Sequence, residues 1–201
     1  RDVLSEQTAS TLASEALVSS DNPKYGEAQQ LADFSIVLAE GVKDTAAMPT
    51  VYLCKAQVYL DQEKYTETIS WCDKAIRAAL LARNRDIEMQ ATIKKGFCYY
   101  KISRYNEAET VLREAGVKLK QYKGELGDAD YNKNQRRIVE YMSSIRYNSG
   151  SYDEALQLLN SAIEVNNRIN SYDAQVSNAG HYSFIGKVYN DQGKPVDAIA
   201  A

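Results

Sequence analysis

From Ala108 onward the apolar residues Ala108, Val111, Leu112, Ala115 and Leu119 keep a spacing of three, four and seven, with charged residues between them. That spacing gathers them on one side of an α-helix and predicts a buried stripe. Ala155, Leu158, Leu159, Ala162 and Ile163 repeat the pattern further along. The runs ISWCDKAIRAALLAR and ETVLREAGVKLKQYK continue without Gly-Pro punctuation and predict long helices. Helix formers dominate, and the chain has only three prolines.

The stripes belong to a recurring frame. Tyr105 has Gly96 and Tyr99 before it and Ala108, Leu112 and Ala115 after it. At the same offsets Tyr65 has Ala56, Tyr59, Thr68, Cys72 and Ala75, and Tyr152 has Ser143, Arg146, Ala155, Leu159 and Ala162. Tyr25 has Ala16, Ser19, Ala28, Ala32 and Ser35, and Pro195 has Gly186, Tyr189 and Ala198 before the sequence ends. Small residues at fixed slots let paired helices approach toward the lower end of the usual interaxial distance, and a tyrosine fills the space beside them.

This frame of a small residue, a tyrosine, an alanine, a large apolar residue and a further alanine resembles the tetratricopeptide repeat (TPR) family. The resemblance implies an all-α fold, a right-handed superhelical solenoid of antiparallel helix pairs with about four and a half repeats. The repeats fall at approximately 5–40, 46–84, 86–123, 133–170 and 173–201, the last incomplete, in a single array. Anchors at 25, 65, 105, 152 and 195 stand 40, 40, 47 and 43 residues apart, longer than the ordinary repeat of about 34. In this the chain is similar to the long repeats of kinesin light chains and of Gram-positive peptide-pheromone receptors. HEAT and armadillo arrays share the period but lack the frame. The extra length is expected beyond the second helices, making them about two turns longer than usual. The longest interval predicts a connector over Gly124 to Asn132.

Asp61-Gln62-Glu63-Lys64, Ser149-Gly150-Ser151 and Asp191-Gln192-Gly193-Lys194 read as turns between paired helices. Asp73 with Arg77, Glu109 with Arg113, Glu114 with Lys118, and Glu164 with Arg168 stand four apart, acid first, as solvated surface pairs. Lys118, Lys120 and Lys123 read as a solvated helix end.

A net charge of -3 gives no electrostatic footprint for nucleic acid, and no apolar run is long enough to span a membrane. Cys54, Cys72 and Cys98 lack metal-site pairing and read as small buried hydrophobes, which favours a cytoplasmic setting over, without excluding, a periplasmic one. The sequence opens at Arg1 and stops at Ala201 inside a helical pattern, as expected of a segment of a larger protein. His181, the only histidine, reads as a partly exposed helix residue near a loop. With no phosphate loop, nucleophile elbow or calcium loop around Asp128 and Asp130, no catalytic residue, cofactor or metal is expected.

The resemblance implies that the first helices line a concave groove. It assigns to that face Leu53, Gln57, Leu60 and Asp61; Ile93, Phe97, Tyr100 and Lys101; Glu140, Ser144, Tyr147 and Asn148; and Ser183, Lys187, Asn190 and Asp191. Mixed aromatic, acidic and basic character suits a protein or peptide segment as partner. The family's clamp for a C-terminal carboxylate is not matched. Arg146 in a tyrosine slot predicts irregular packing there, with reach to a ligand as the alternative. Besides a non-catalytic peptide-binding scaffold, the alternatives are a sensing module of a larger bacterial signalling protein and self-association through a terminal repeat.

Overall fold

A computed structural model describes residues 11–13, 15, 25–169 and 171–194, the side chain of Asp173 excepted. The readings made on Ala16, Ser19, Pro195 and Ala198 lie outside the described residues. Eight long helices are described: α1 (Tyr25–Gly41), α2 (Met48–Asp61), α3 (Tyr65–Ala82), α4 (Arg85–Lys101), α5 (Tyr105–Gln121), α6 (Asp128–Asn148), α7 (Tyr152–Ile169) and α8 (Tyr172–Asp191). The anchors Tyr25, Tyr65, Tyr105 and Tyr152 each open a second helix of the frame. The chain divides into two compact units, Arg1–Asn134 and Gln135–Ala201.

In the first unit the helices pack in chain order, α1 on α2, α2 on α3, α3 on α4 and α4 on α5, with α2 also touching α4. In the second, α7 packs on α8. The slots explain this layering. Ala28, Ala32 and Ser35, then Thr68, Cys72 and Ala75, then Ala108, Leu112 and Ala115 are all fully buried, and Ala155, Leu159 and Ala162 nearly so. Ala56 is fully buried as well, and Gly96 faces Leu112 so closely that a Cβ on it would lie 2.7 Å from Leu112 Cγ. Gly186 and the tyrosines Tyr59, Tyr99 and Tyr189 are half-buried, as are the anchors Tyr65, Tyr105 and Tyr152. Apolar residues gather in local clusters, such as Ala56 with Leu53, Cys72, Ala75 and Ala91, or Leu159 with Leu156, Ile163, Ile185 and Val188.

The end of the first helix is built the same way at four places. Glu63, Ser103, Gly150 and Gly193 adopt positive φ of 57°, 61°, 77° and 73°. The amide after each donates back to the carbonyl at the tyrosine slot: Lys64 to Tyr59 at 2.9 Å, Arg104 to Tyr99 at 2.9 Å, Ser151 to Arg146 at 2.8 Å, Lys194 to Tyr189 at 2.9 Å. This is the Schellman closure, which satisfies helix-end carbonyls that would otherwise lack donors. First helices α4 and α8 are started instead by side chains, Asn84 accepting from the Ile87 amide at 3.1 Å and Ser171 from the Ala174 amide at 3.2 Å.

Three expectations change. The connector after α5 is shorter than Gly124 to Asn132: Asp128 to Asn132 are already helical, so the longest interval is absorbed by the 21 residues of α6. Acidic Asp128 and Asp130 suit that first turn, where carboxylates complement the helix dipole. The extra repeat length is therefore not confined to second helices: α3, α5 and α7 have 18, 17 and 18 residues, and first helices α6 and α8 have 21 and 20. His181 is 3% exposed, because it shares the buried stripe of Ala174, Asn178, Ile185 and Val188 on α8.

Candidate protein-interaction face

In the first unit the residues assigned to the face fall on α2 and α4. Gln57 donates to Asp61 Oδ1 at 2.6 Å and accepts from Lys94 Nζ, tying α2 to α4. One turn on, the Phe97 and Tyr100 rings lie 6.5 Å apart, and Tyr100 lies 6.0 Å from Tyr105. The exposed Lys101 ammonium sits 5.7 Å from the Tyr65 ring and 5.9 Å from the Phe97 ring. Phe97 and Tyr100 are half-buried, so each keeps accessible aromatic surface beside a cation. Leu53 and Ile93 leave the assigned set, being 9% and 1% exposed and part of the core.

In the second unit Tyr147 is half-buried and packs 5.3 Å edge-on to Phe184 and 5.7 Å from Tyr152. Its hydroxyl donates to Asp191, and the Lys187 ammonium lies 4.8 Å from its ring. The bond to Asp191 holds the phenol above its ordinary range, burial adding to it. Asn148 is exposed, with its amide donating to the Ser144 carbonyl at 3.0 Å. Glu140 sits apart from Tyr147, hydrogen-bonded to Ser177 and flanked by Arg136 and Arg137; burial raises its carboxyl above 4.5. Ser177 Oγ in turn lies 3.4 Å from His181 Nε2. Arg146 reaches Glu154 Oε2 at 2.9 Å, a contact within its own hairpin.

Sequence reasoning missed the polar contacts between repeats. Asp73 pairs with Lys95 on α4 at 2.7 Å, not with Arg77. Lys118, its side chain still partly exposed, pairs with the fully buried Glu88 at 2.8 Å, where the Tyr122 hydroxyl also donates at 3.2 Å and Arg85 approaches to 3.3 Å. That contact raises the Lys118 ammonium above its usual range. Glu109 with Arg113, and Glu164 with Arg168 at 3.7 Å, pair as expected. The three thiols are free and buried; burial pushes Cys54 and Cys98 up to about 11 and Cys72 higher still. Among the described residues no helix is long and apolar enough to cross a membrane, and no group of acidic, histidine or cysteine side chains is placed to hold a metal.

No protein-family model matches the sequence, and no curated protein matches it. Solved structures do. The nearly identical TPR-like repeats of a kinesin-light-chain-type protein from Podosopora anserina superpose with a TM-score of 0.74 at 11% identity, over 100% of this chain and 93% of that one. BtubC (BKLC) from P. vanneervenii gives 0.70 at 14% identity, over 99% and 88%. A signal transduction ATPase with numerous domains and a tetratricopeptide repeat sensor, from Pyrococcus horikoshii, gives 0.68 at 14% identity, over 94% of this chain and 30% of that one. The sequence frame, the helix hairpins that it opens and these superpositions agree that the chain has the all-α TPR-like repeat fold.

Proposed function

We propose that the chain is a non-catalytic scaffold whose first helices hold a protein or peptide segment. The observation that supports this most directly is the half-buried pair Phe97 and Tyr100 beside exposed Lys101, one turn from Lys94, whose ammonium donates to Gln57 of the Gln57–Asp61 pair on α2. Apolar anchors with orienting polar groups around them are what an extended segment needs to bind in one register. Tyr147 with Lys187 offers the same pairing in the second unit. Peptides selected from a displayed library on the wild-type chain test it. They should lose binding to a Phe97→Ala, Tyr100→Ala double variant whose far-UV circular dichroism is unchanged; peptides that bind both proteins equally would remove the face from α2 and α4.

A second reading is a sensing module within a larger signalling protein. The observation favouring it is the match to 30% of the Pyrococcus horikoshii ATPase, whose repeats are described as a sensor. The full-length reading frame discriminates: a nucleotide-binding, kinase or DNA-binding domain in the same polypeptide supports the sensor, and its absence rejects it.

A further inference from the structure

A separate cavity of about 460 Å³ opens in the first unit between the end of α1, the start of α2 and the later turns of α3. It shares no residue with the face described above. Met48, Tyr52, Ala78 and Leu81 make its apolar lining, and Glu40, Thr45, Lys74 and Arg77 supply the polar groups. Leu81 is 86% exposed, a large side chain left to water at the rim. The volume lies within the usual range of ligand pockets, roughly 300–1,000 Å³.

The charges decide what fits. Glu40, the one carboxylate of the lining, accepts the Tyr52 hydroxyl at 2.8 Å, and burial together with this bond pushes that phenol up to about 12. Arg77 would take Asp73 four residues before it, but Asp73 is engaged by Lys95 at 2.7 Å. Lys74 lies 3.8 Å over the Trp71 ring. Among the described residues neither Lys74 nor Arg77 joins an ion pair, so the cavity has two cations against one hydrogen-bonded carboxylate. The chain as a whole carries -3, so this patch opposes its overall sign.

We infer that this cavity binds an acidic peptide segment carrying a bulky apolar side chain, the apolar group covering Leu81 and Met48 and the carboxylates meeting Arg77 and Lys74. A simple inorganic anion leaves the apolar lining wet. A neutral apolar group leaves the two cations unmatched. The guanidinium of Arg77 can take a carboxylate through two parallel hydrogen bonds, which fixes orientation as well as charge.

Trp71 is the only tryptophan and packs 5.9 Å from Tyr52, so its emission reports on the site. The probe is the synthetic peptide acetyl-Glu-Asp-Leu-Phe-Asp-Glu-amide, titrated into the 201-residue chain. A saturable change in Trp71 emission is expected, weakened by added salt. Binding should be about tenfold weaker with Arg77→Glu, and similarly weaker with Leu81→Asp. A peptide with Gln and Asn in place of the acids should not bind. Arg77→Gln is the milder second variant should Arg77→Glu alter the circular dichroism. No saturable change, equal binding of the amide peptide, or unchanged affinity in both Arg77 variants would overturn the assignment. So would sedimentation showing that the cavity is filled by a second copy, with a dimer that Leu81→Asp dissolves.

Discussion

A hydrogen of Gly96 points at Leu112, a side chain with no exposed surface. A Cβ there would stand 2.7 Å from Cγ and 2.8 Å from Cδ2, and Cγ is the branch point rather than a free end. Elsewhere in a helix, alanine for glycine gains about 1 kcal/mol from reduced chain freedom. Here the overlap opposes that gain, because inserting a methyl group into a packed interface costs roughly 1–3 kcal/mol. Gly96→Ala is therefore expected to lower stability by about 1 kcal/mol in urea unfolding, and Gly96→Val by more. A stabilised Gly96→Ala would show that α4 and α5 can separate freely. The slot residues were legible because their signal is local: Gly96, Ala108 and Ala115 lie within one short frame, and its recurrence separates them from chance. His181 was misread by its nearness to a loop, although Asn178, Ile185 and Val188 at three, four and seven residues from it trace the stripe that buries it.

Between neighbouring helices the frame carries a charge pair as well as a packing rule. Lys55 on α2 meets Asp33 on α1 at 2.6 Å, and Lys95 on α4 meets Asp73 on α3 at 2.7 Å, equivalent positions one repeat apart. The members are unequal, Lys55 being 1% exposed and Asp33 56%. Asp33→Ala should cost roughly 1–3 kcal/mol, since it leaves a buried ammonium without its counter-charge, held by the Gln29 carbonyl at 3.4 Å and the Tyr59 ring, whereas Lys55→Met should be close to neutral. Equal losses from both changes would contradict this asymmetry. On α6 and α8 the balance is protonic. Burial first, and the Arg136 guanidinium second, hold His181 below 6.5, so the unfolded chain binds more protons just beneath that pH. Its contribution is intact above 6.5 and is lost as the pH falls below it. Glu140, raised above 4.5 by burial, acts oppositely, acidification toward 4.5 favouring the folded chain. Relative to wild type, the melting temperature between neutrality and roughly pH 5.5 should therefore fall less steeply with acidification in His181→Gln and more steeply in Glu140→Gln. A His181→Gln slope equal to wild type would reject the assignment. The hairpins themselves were readable from periodicity, and so were the aromatic types on the candidate face. Their partners were not: Glu88 with Lys118, or Tyr147 with Asp191, bridge separations at which one sequence has no pairing signal. The repeated Asp33/Asp73 and Lys55/Lys95 positions are the exception, visible once the frame is extended to polar slots.

Across the molecule, stability is expected to be held locally, because the buried clusters belong to adjacent helices. Ala56, Cys72, Ala75 and Ala91 join α2, α3 and α4, whereas Leu156, Leu159, Ile185 and Val188 join α7 and α8. In an array of repeats each unit draws stability from itself and its nearest neighbours, so a local loss fades along the chain rather than spreading evenly. A globule around one centre behaves otherwise, opening as a whole when any core contact is cut. Hydrogen exchange on Gly96→Ala separates the two. Protection should drop most in α4 and α5, less in α3 and α2, and stay near wild type in α7 and α8, since the altered contact lies on Leu112 and the second unit has its own cluster. The same experiment on Leu159→Ala should invert the gradient, with α7 and α8 exposed and α2 to α4 unchanged, since removing a buried leucine costs about 2–5 kcal/mol where it stood. If either variant loosened every helix alike, the chain would be a single cooperative body, and the layered arrangement of separately stabilised hairpins would be wrong.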